Sequence, residues 1–334
     1  MATRLMELII PAEISEEAFK LLANYETLGI WNVKEESGSH IVRVLTTVEQ
    51  TETISDELTD HFSHQDGFRI MLFAVEATLP LPEKEEEKEP EEPRENEVEE
   101  TPGRISREEL YTDLSEGAKW SGTFVTTVIL SSVVAAIGLM RSDVVLIIGA
   151  MVIAPLLGPN VAMALAATLG DVSLAVKSLK ANLLGFLTAV LVSLFIGWIF
   201  HINPNVPEMM SRTQISWGDI VIALAAGSAG VLAFTRGVPA AVIGVMVAVA
   251  LLPPLVNFGL LAGSGYGTLA IGALLLTLMN ITCVNLAGVV TFIVQGIHPR
   301  QWWEAEKAKK ATRYAIIFWF SLLLVFVIFI YFNW

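Results

Sequence analysis

Residues 148–161 read Ile148-Gly149-Ala150-Met151-Val152-Ile153-Ala154-Pro155-Leu156-Leu157-Gly158-Pro159-Asn160-Val161. Residues 243–256 read Ile243-Gly244-Val245-Met246-Val247-Ala248-Val249-Ala250-Leu251-Leu252-Pro253-Pro254-Leu255-Val256. At a constant offset of 95 the Ile, Gly, Met, Val, both Leu, the second Pro and the last Val coincide. The register persists through Leu165 and Leu260, Ala167 and Ala262, Gly170 and Gly265, and Leu174-Ala175 and Leu269-Ala270. Apolar sequence produces chance leucine matches, but a shared Ile-Gly-x-Met-Val and a shared proline in register point to an internal duplication. Each string is also an apolar run interrupted by proline. A proline inside a membrane helix leaves a carbonyl without its donor, which is tolerated where protein or a water-filled cavity serves it. Interrupted segments at matching places in two halves are a pointer to a transport site. A plain kink between packed helices is the competing reading.

The surrounding chain supports a membrane setting. It has 334 residues, 53% of them hydrophobic, and a mean hydropathy of +0.58, above the makeup of soluble domains. Seven apolar runs approach the roughly 20 residues that cross about 30 Å of hydrocarbon: residues 121–140, 144–170, 174–200, 217–235, 238–263, 268–296 and 314–333. The first six form two sets of three, 121–200 and 215–297. An odd number of crossings per copy makes the repeat inverted. With the N-terminus inside, Arg104, Arg107, Lys119, Lys177, Lys180, Arg236, Arg300, Lys307, Lys309, Lys310 and Arg313 fall on the cytoplasmic side and only Arg141 and Arg212 outside, as the positive-inside bias requires. Re-entrant proline-broken runs would strand Lys177, Lys180 and Arg236 outside. The seventh run follows a basic segment, and 298–334 ends outside.

The front of the chain differs. Residues 1–100 carry 25 acids and 8 bases, against 10 and 13 in the remainder, so the net charge of −14 belongs to the front end. An acidic front without a basic stripe argues against a nucleic-acid partner. Residues 1–80 read as an α+β unit: strand Leu5–Ile10, a helix opened by Ser15, strand Ile30–Val33, a turn at Gly38 and strand Ile41–Val48. A helix with Ile54, Leu58 and Phe62 on one face follows, then strand Phe68–Val75. That β-α-β-β-α-β order predicts a ferredoxin-like domain, whose open sheet face leads us to expect a homo-oligomer or a small-ligand site, by analogy of fold. The run MATRLMELIIPAE lacks an apolar signal core, so the expectation is a cytoplasmic front domain. Residues 81–104 scatter prolines among eleven glutamates, which predicts a disordered spacer. Ser106 with Glu109 opens an amphipathic helix over 105–120, expected at the membrane surface with Trp120 at headgroup depth.

Candidate pathway residues gather at the breaks and on the helices around them: Pro155, Gly158, Pro159, Asn160, Asn182, Pro253, Pro254, Asn257, Thr277, Asn280, Thr282 and Asn285. Asparagine offers a donor and an acceptor, suited to lining a polar path; interhelical hydrogen bonding is the bland alternative. Asp143, Asp171 and Asp219 lie at predicted span ends, so a relay of buried carboxylates is not evident. No metal, nucleophile or phosphate-loop motif is present, and neither an enzyme nor a cofactor is expected. The single cysteine, Cys283, reads as a small buried hydrophobe.

Ser106-Arg107-Glu108-Glu109-Leu110-Tyr111 and the string Ile148 to Pro159 resemble the prokaryotic hydrophobic proteins grouped as domain of unknown function 389, over roughly residues 105–300. The resemblance implies a prokaryotic inner-membrane protein and leaves its activity blank. The expectation is therefore a transporter or channel for a small solute or ion in the lipid bilayer. A membrane-anchored sensor or assembly scaffold is the alternative, and a lipid flippase a third.

Overall fold

The computed structural model describes residues 3–25, 27–34, 39–75, 105–200, 202–238, 240–299 and 302–333. Gly38 and the acidic segment 81–104 lie outside the described residues. The chain divides into two compact units, Met1–Leu110 and Tyr111–Trp334.

The first unit contains strand β1 (Thr3–Pro11), a short 3-10 turn, helix α1 (Ser15–Leu22), strands β2 (Gly29–Lys34) and β3 (Ser39–Thr47), helix α2 (Val48–Phe62) and strand β4 (Arg69–Val75). The sheet order is β2-β3-β1-β4, antiparallel throughout. Alternation along the strands sends Met6, Leu8, Ile10, Val42 and Val44 to one face, where they bury against Ala18, Leu21 and Leu22 of α1 and Ile54, Leu58 and Phe62 of α2. The fourfold spacing read in the sequence is thus the buried stripe of α2. The first turn of α3 (Arg107–Gly117) also belongs to this unit: Arg107 pairs with Asp56 at 2.9 Å, and Arg4 forks onto Glu109 at 3.0 and 3.1 Å.

The second unit is helical. Its main elements are α4 (Gly122–Arg141), α5 (Val144–Ile153), α6 (Leu157–Leu169), α7 (Val172–Ile199), α8 (Pro207–Met210), α9 (Trp217–Thr235), α10 (Ala240–Gly263), α11 (Gly267–Val294) and α12 (Trp302–Asn333). Among the described residues, five helices are long and apolar enough to cross a membrane, and α5 with α6, bent by 54° at their junction, makes a sixth.

The ends of these helices recur at the offset of 95. Gly122 and Trp217 begin α4 and α9, Val172 and Gly267 begin α7 and α11, and Ile199 and Val294 end that second pair. Turn chemistry follows suit. Ser121 accepts the Phe124 N–H as a cap, and Ser216 shares a capping box with Asp219. Ser142 and Gly237 turn the chain at φ 55° and 69°, and Gly170 and Gly265 at 69° and 84°. A left-handed residue ends a helix without a lost carbonyl bond, and at one of these four positions the chain tolerates serine.

Helix packing inverts the pattern of a soluble core. Along α7 the buried face carries Ser178, Ala181, Asn182, Gly185, Ala189, Ser193 and Gly197, while Leu183, Leu187, Leu191, Phe195 and Trp198 stand exposed. Small inward residues let backbones approach. A Cβ on Gly197 would lie 2.2 Å from the Leu260 carbonyl oxygen, and one on Gly263 2.2 Å from that of Leu194. The C-terminal ends of α7 and α10 therefore meet, and Ser264 donates to the Gly197 carbonyl at 2.7 Å. α11 lies along α6 in the same sense, since Asn285 meets Asn160 and Gly288 meets Ala164. The third helix of each set thus packs on the second of the other.

One segment departs from expectation. The connection between α7 and α9 folds into the bundle: Ile202 and Met209 are buried in the cluster that holds Leu252, Val256 and Leu260. The helix expected to lie on the membrane surface is α3, and its later turns pack on protein. Leu114 is buried, and a Cβ on Gly158 would lie 3.0 Å from the Gly117 carbonyl oxygen. Trp120 is exposed.

Candidate functional site

Pro155 has no N–H to donate to the carbonyl four residues back, so α5 stops at Ile153, and α6 restarts at Leu157 with Pro159 in its first turn, where a missing donor costs nothing. The 54° bend between them is the observed form of the break. Beside it three candidate amides converge. Asn160 Nδ2 donates to the Leu156 carbonyl at 2.8 Å and to Asn182 Oδ1 at 3.0 Å. Asn285 Nδ2 donates to the Ile281 carbonyl at 2.9 Å and to Asn160 Oδ1 at 3.3 Å. One buried network therefore ties α6, α7 and α11 together next to the break. Residues 22 and 125 positions apart form it, as only the fold could arrange.

The second proline pair behaves differently. Pro253 and Pro254 lie inside a continuous α10, so the expected second break is not observed there. Pro254 deprives the Ala250 carbonyl of its helical donor, and Asn280 Nδ2 of α11 supplies one at 2.6 Å. The side chain takes over the bond and the helix runs on. Asn257 donates to the Met209 carbonyl at 2.9 Å and so holds the inserted segment before α9. Thr277 and Thr282 donate to the Ala273 and Leu278 carbonyls of their own helix at 2.8 Å each; they are buried but join no interhelical network.

Nδ2 of Asn160, Asn257, Asn280 and Asn285 each serves a backbone carbonyl, whereas several oxygens have no partner. Asn257 Oδ1, Asn280 Oδ1, Asn285 Oδ1 and Ser178 Oγ are buried without a hydrogen-bond partner. Ser178 was not among the sequence candidates; its place one turn before Asn182 on the inward face of α7 is the signal that could have found it. Among the described residues, every buried polar side chain of the second unit is a neutral Ser, Thr or Asn, and no cluster of His, Cys, Asp or Glu could hold a metal ion. A recess of about 180 Å³ lined by Gly197, Trp198, Phe200, Ile202, Gly263, Ser264 and Tyr266 sits at the α10–α11 turn, away from the network.

At the start of α7, Asp171 caps the helix through the Leu174 N–H at 3.0 Å and accepts the Tyr111 hydroxyl at 2.7 Å. Burial raises the Asp171 carboxyl, but the Tyr111 and backbone hydrogen bonds and Lys177 outweigh it and hold the group below its ordinary 3.8. The same hydrogen bond, with burial, pushes the Tyr111 hydroxyl up to about 12.

Apolar helices that face outward with their large residues and inward with small and polar ones, joined to an antiparallel-sheet unit, define an integral membrane protein with an N-terminal α+β part. A family model described as domain of unknown function (DUF389) matches residues 151–286. Over 304 residues the chain is 40% identical to the uncharacterized protein MJ0678 of Methanocaldococcus jannaschii, covering 90% of this chain and 91% of that protein. The chain belongs to the DUF389 family. No solved structure matches it.

Proposed function

We propose that the second unit is a transporter or channel for a small solute or ion, with its path between two inverted repeats, 121–200 and 215–297. The observation that carries this reading is the buried amide network of Asn160, Asn182 and Asn285 beside a discontinuous helix, where irregular backbone inside a membrane marks binding sites. An anchor needs neither. Recurrence of helix ends, capping serines and left-handed turns at one offset supports the duplication. The shared sense of α7 with α10, and of α6 with α11, fits inverted copies. A bend of 54° leaves α6 advancing in the general direction of α5, which favours a crossing over a re-entrant hairpin.

On this reading the protein sits in the prokaryotic inner membrane with a cytoplasmic N-terminus and an external C-terminus, is not an enzyme and takes no cofactor. The sheet order β2-β3-β1-β4 supports a ferredoxin-like front domain, which we assign a regulatory or oligomer-forming role. The sensor or scaffold alternative draws on its open sheet face, where Trp31, Val33 and Phe73 are exposed.

Two measurements test the proposal. Cysteines at Asn205 and Lys309, in a Cys283→Ser background, should be labelled from opposite sides of the membrane; labelling of both by one impermeant reagent in intact cells removes the inverted-repeat topology. In liposomes the full chain should move a labelled ion or small solute, and Asn160→Leu should slow it at least tenfold. A folded, oriented protein that moves none favours the scaffold.

A further inference from the structure

We infer that the path takes a monovalent alkali cation, held by neutral side-chain oxygens; this rests on the transport reading above. The argument begins with which atoms are spent. Asn160, Asn257, Asn280 and Asn285 each direct Nδ2 at a backbone carbonyl, of Leu156, Met209, Ala250 and Ile281. A carbonyl oxygen can only accept, so these neighbours fix which end of each amide is nitrogen. What remains unpartnered is Oδ1 of Asn257, Asn280 and Asn285, which can only accept, and the Ser178 hydroxyl, whose oxygen can accept as well, all of them buried.

These oxygens are spread along the bundle. Counting from the α10–α11 turn at about 1.5 Å per residue, Asn257 lies about 9 Å along α10, Asn280 about 20 Å and Asn285 about 27 Å along α11. Ser178 lies one turn from Asn182, which the network joins to Asn160 and Asn285. Stepwise acceptors at such intervals suit an ion that sheds water for carbonyl-type oxygens and moves between weak sites.

The sign of the ligand follows. An anion needs donors, and Nδ2 of Asn160, Asn257, Asn280 and Asn285 is already turned to backbone carbonyls, so the unpartnered atoms are three amide oxygens and one hydroxyl. The positive N-terminal end of α6 is covered by the Gly117 carbonyl, which approaches Gly158 closely. A divalent ion calls for carboxylates, and among the described residues none is buried in this unit. A hard monovalent cation matches neutral oxygens. Water can also serve these atoms, so the test must separate the two.

The full chain, purified in detergent, is melted in NaCl, KCl and choline chloride at equal concentration. Sodium or potassium at ten times Kd should raise Tm over choline by about 3–6 °C. Ser178→Ala removes only an unpartnered oxygen, so it should fold as well in choline while losing at least half of the cation shift. Asn280→Leu should lose it as well. In liposomes the wild type should admit sodium-22 or rubidium-86 but not chloride-36. Equal Tm values in all three salts, an unchanged cation shift in Ser178→Ala, or chloride uptake without cation uptake each overturn the inference. A cation shift without flux of any solute keeps the site and removes the transport reading.

Discussion

Replacing Gly197 by alanine should separate α7 from α10 measurably. The added Cβ would stand 2.2 Å from the Leu260 carbonyl oxygen, whereas ordinary contact begins near 3.4 Å, so the helices must part by about 1 Å. Overpacking of this kind costs about 1–3 kcal/mol. Loss of the Ser264 hydroxyl bond to the Gly197 carbonyl adds about 1 kcal/mol, and the better helix propensity of alanine returns about 1 kcal/mol. The net of about 1–3 kcal/mol corresponds to a Tm lower by about 2–12 °C at 2–4 °C per kcal/mol. Gly149→Ala is the control, because a Cβ there meets nothing within 4 Å; it should hold or raise Tm. Thermal unfolding of both variants in one detergent decides the matter. If Gly197→Ala melts with Gly149→Ala, the close approach of α7 and α10 is refuted.

Ser142, at φ 55° where its counterpart is Gly237, should accept glycine with a gain of about 1 kcal/mol, seen as a higher Tm; a loss would contradict the left-handed turn. Tyr111→Phe should lower stability by about 1–2 kcal/mol. That difference should be flat at neutral pH. It should shrink below the ordinary aspartate range, as pH falls through the depressed Asp171 value, and again as pH rises from 10 through about 12, where Tyr111 ionises. Asn257→Leu frees the segment held at Met209, so trypsin should cut at Arg212 faster than in the wild type. In residues 1–80 alone, Leu8→Ala should cost about 2–5 kcal/mol by urea melting, since Leu8 is fully buried between sheet and helices.

The parts of the fold legible in the sequence are those set by local pattern. Apolar length marked the membrane helices, and fourfold spacing marked the buried face of α2. Pro155 ends α5, since its nitrogen cannot donate to the carbonyl four residues back. Pro253-Pro254 carries the same local signal, yet α10 continues, because Asn280, 30 residues from Ala250, provides the bond from another helix. Local pattern cannot carry that information. The same holds for Asn160, Asn182 and Asn285: their residue type was a cue, but their meeting depends on how α6, α7 and α11 cross. The inserted segment before α9 went unread because Ile202 and Met209 sit among polar and turn residues.

The inward row of α7 bears on how freely its positions can vary. In a water-soluble helix the bulky positions are the constrained ones. Here Leu183, Leu187, Leu191 and Phe195 face outward, and any apolar side chain would serve there, whereas Ala189 is fully buried and Gly197 lies against the backbone of Leu260 with no room for a larger residue. A saturation library across α7 should therefore return its sharpest intolerance at the smallest residues and its broadest acceptance at the largest. The specification of this bundle resides in the atoms its sequence omits.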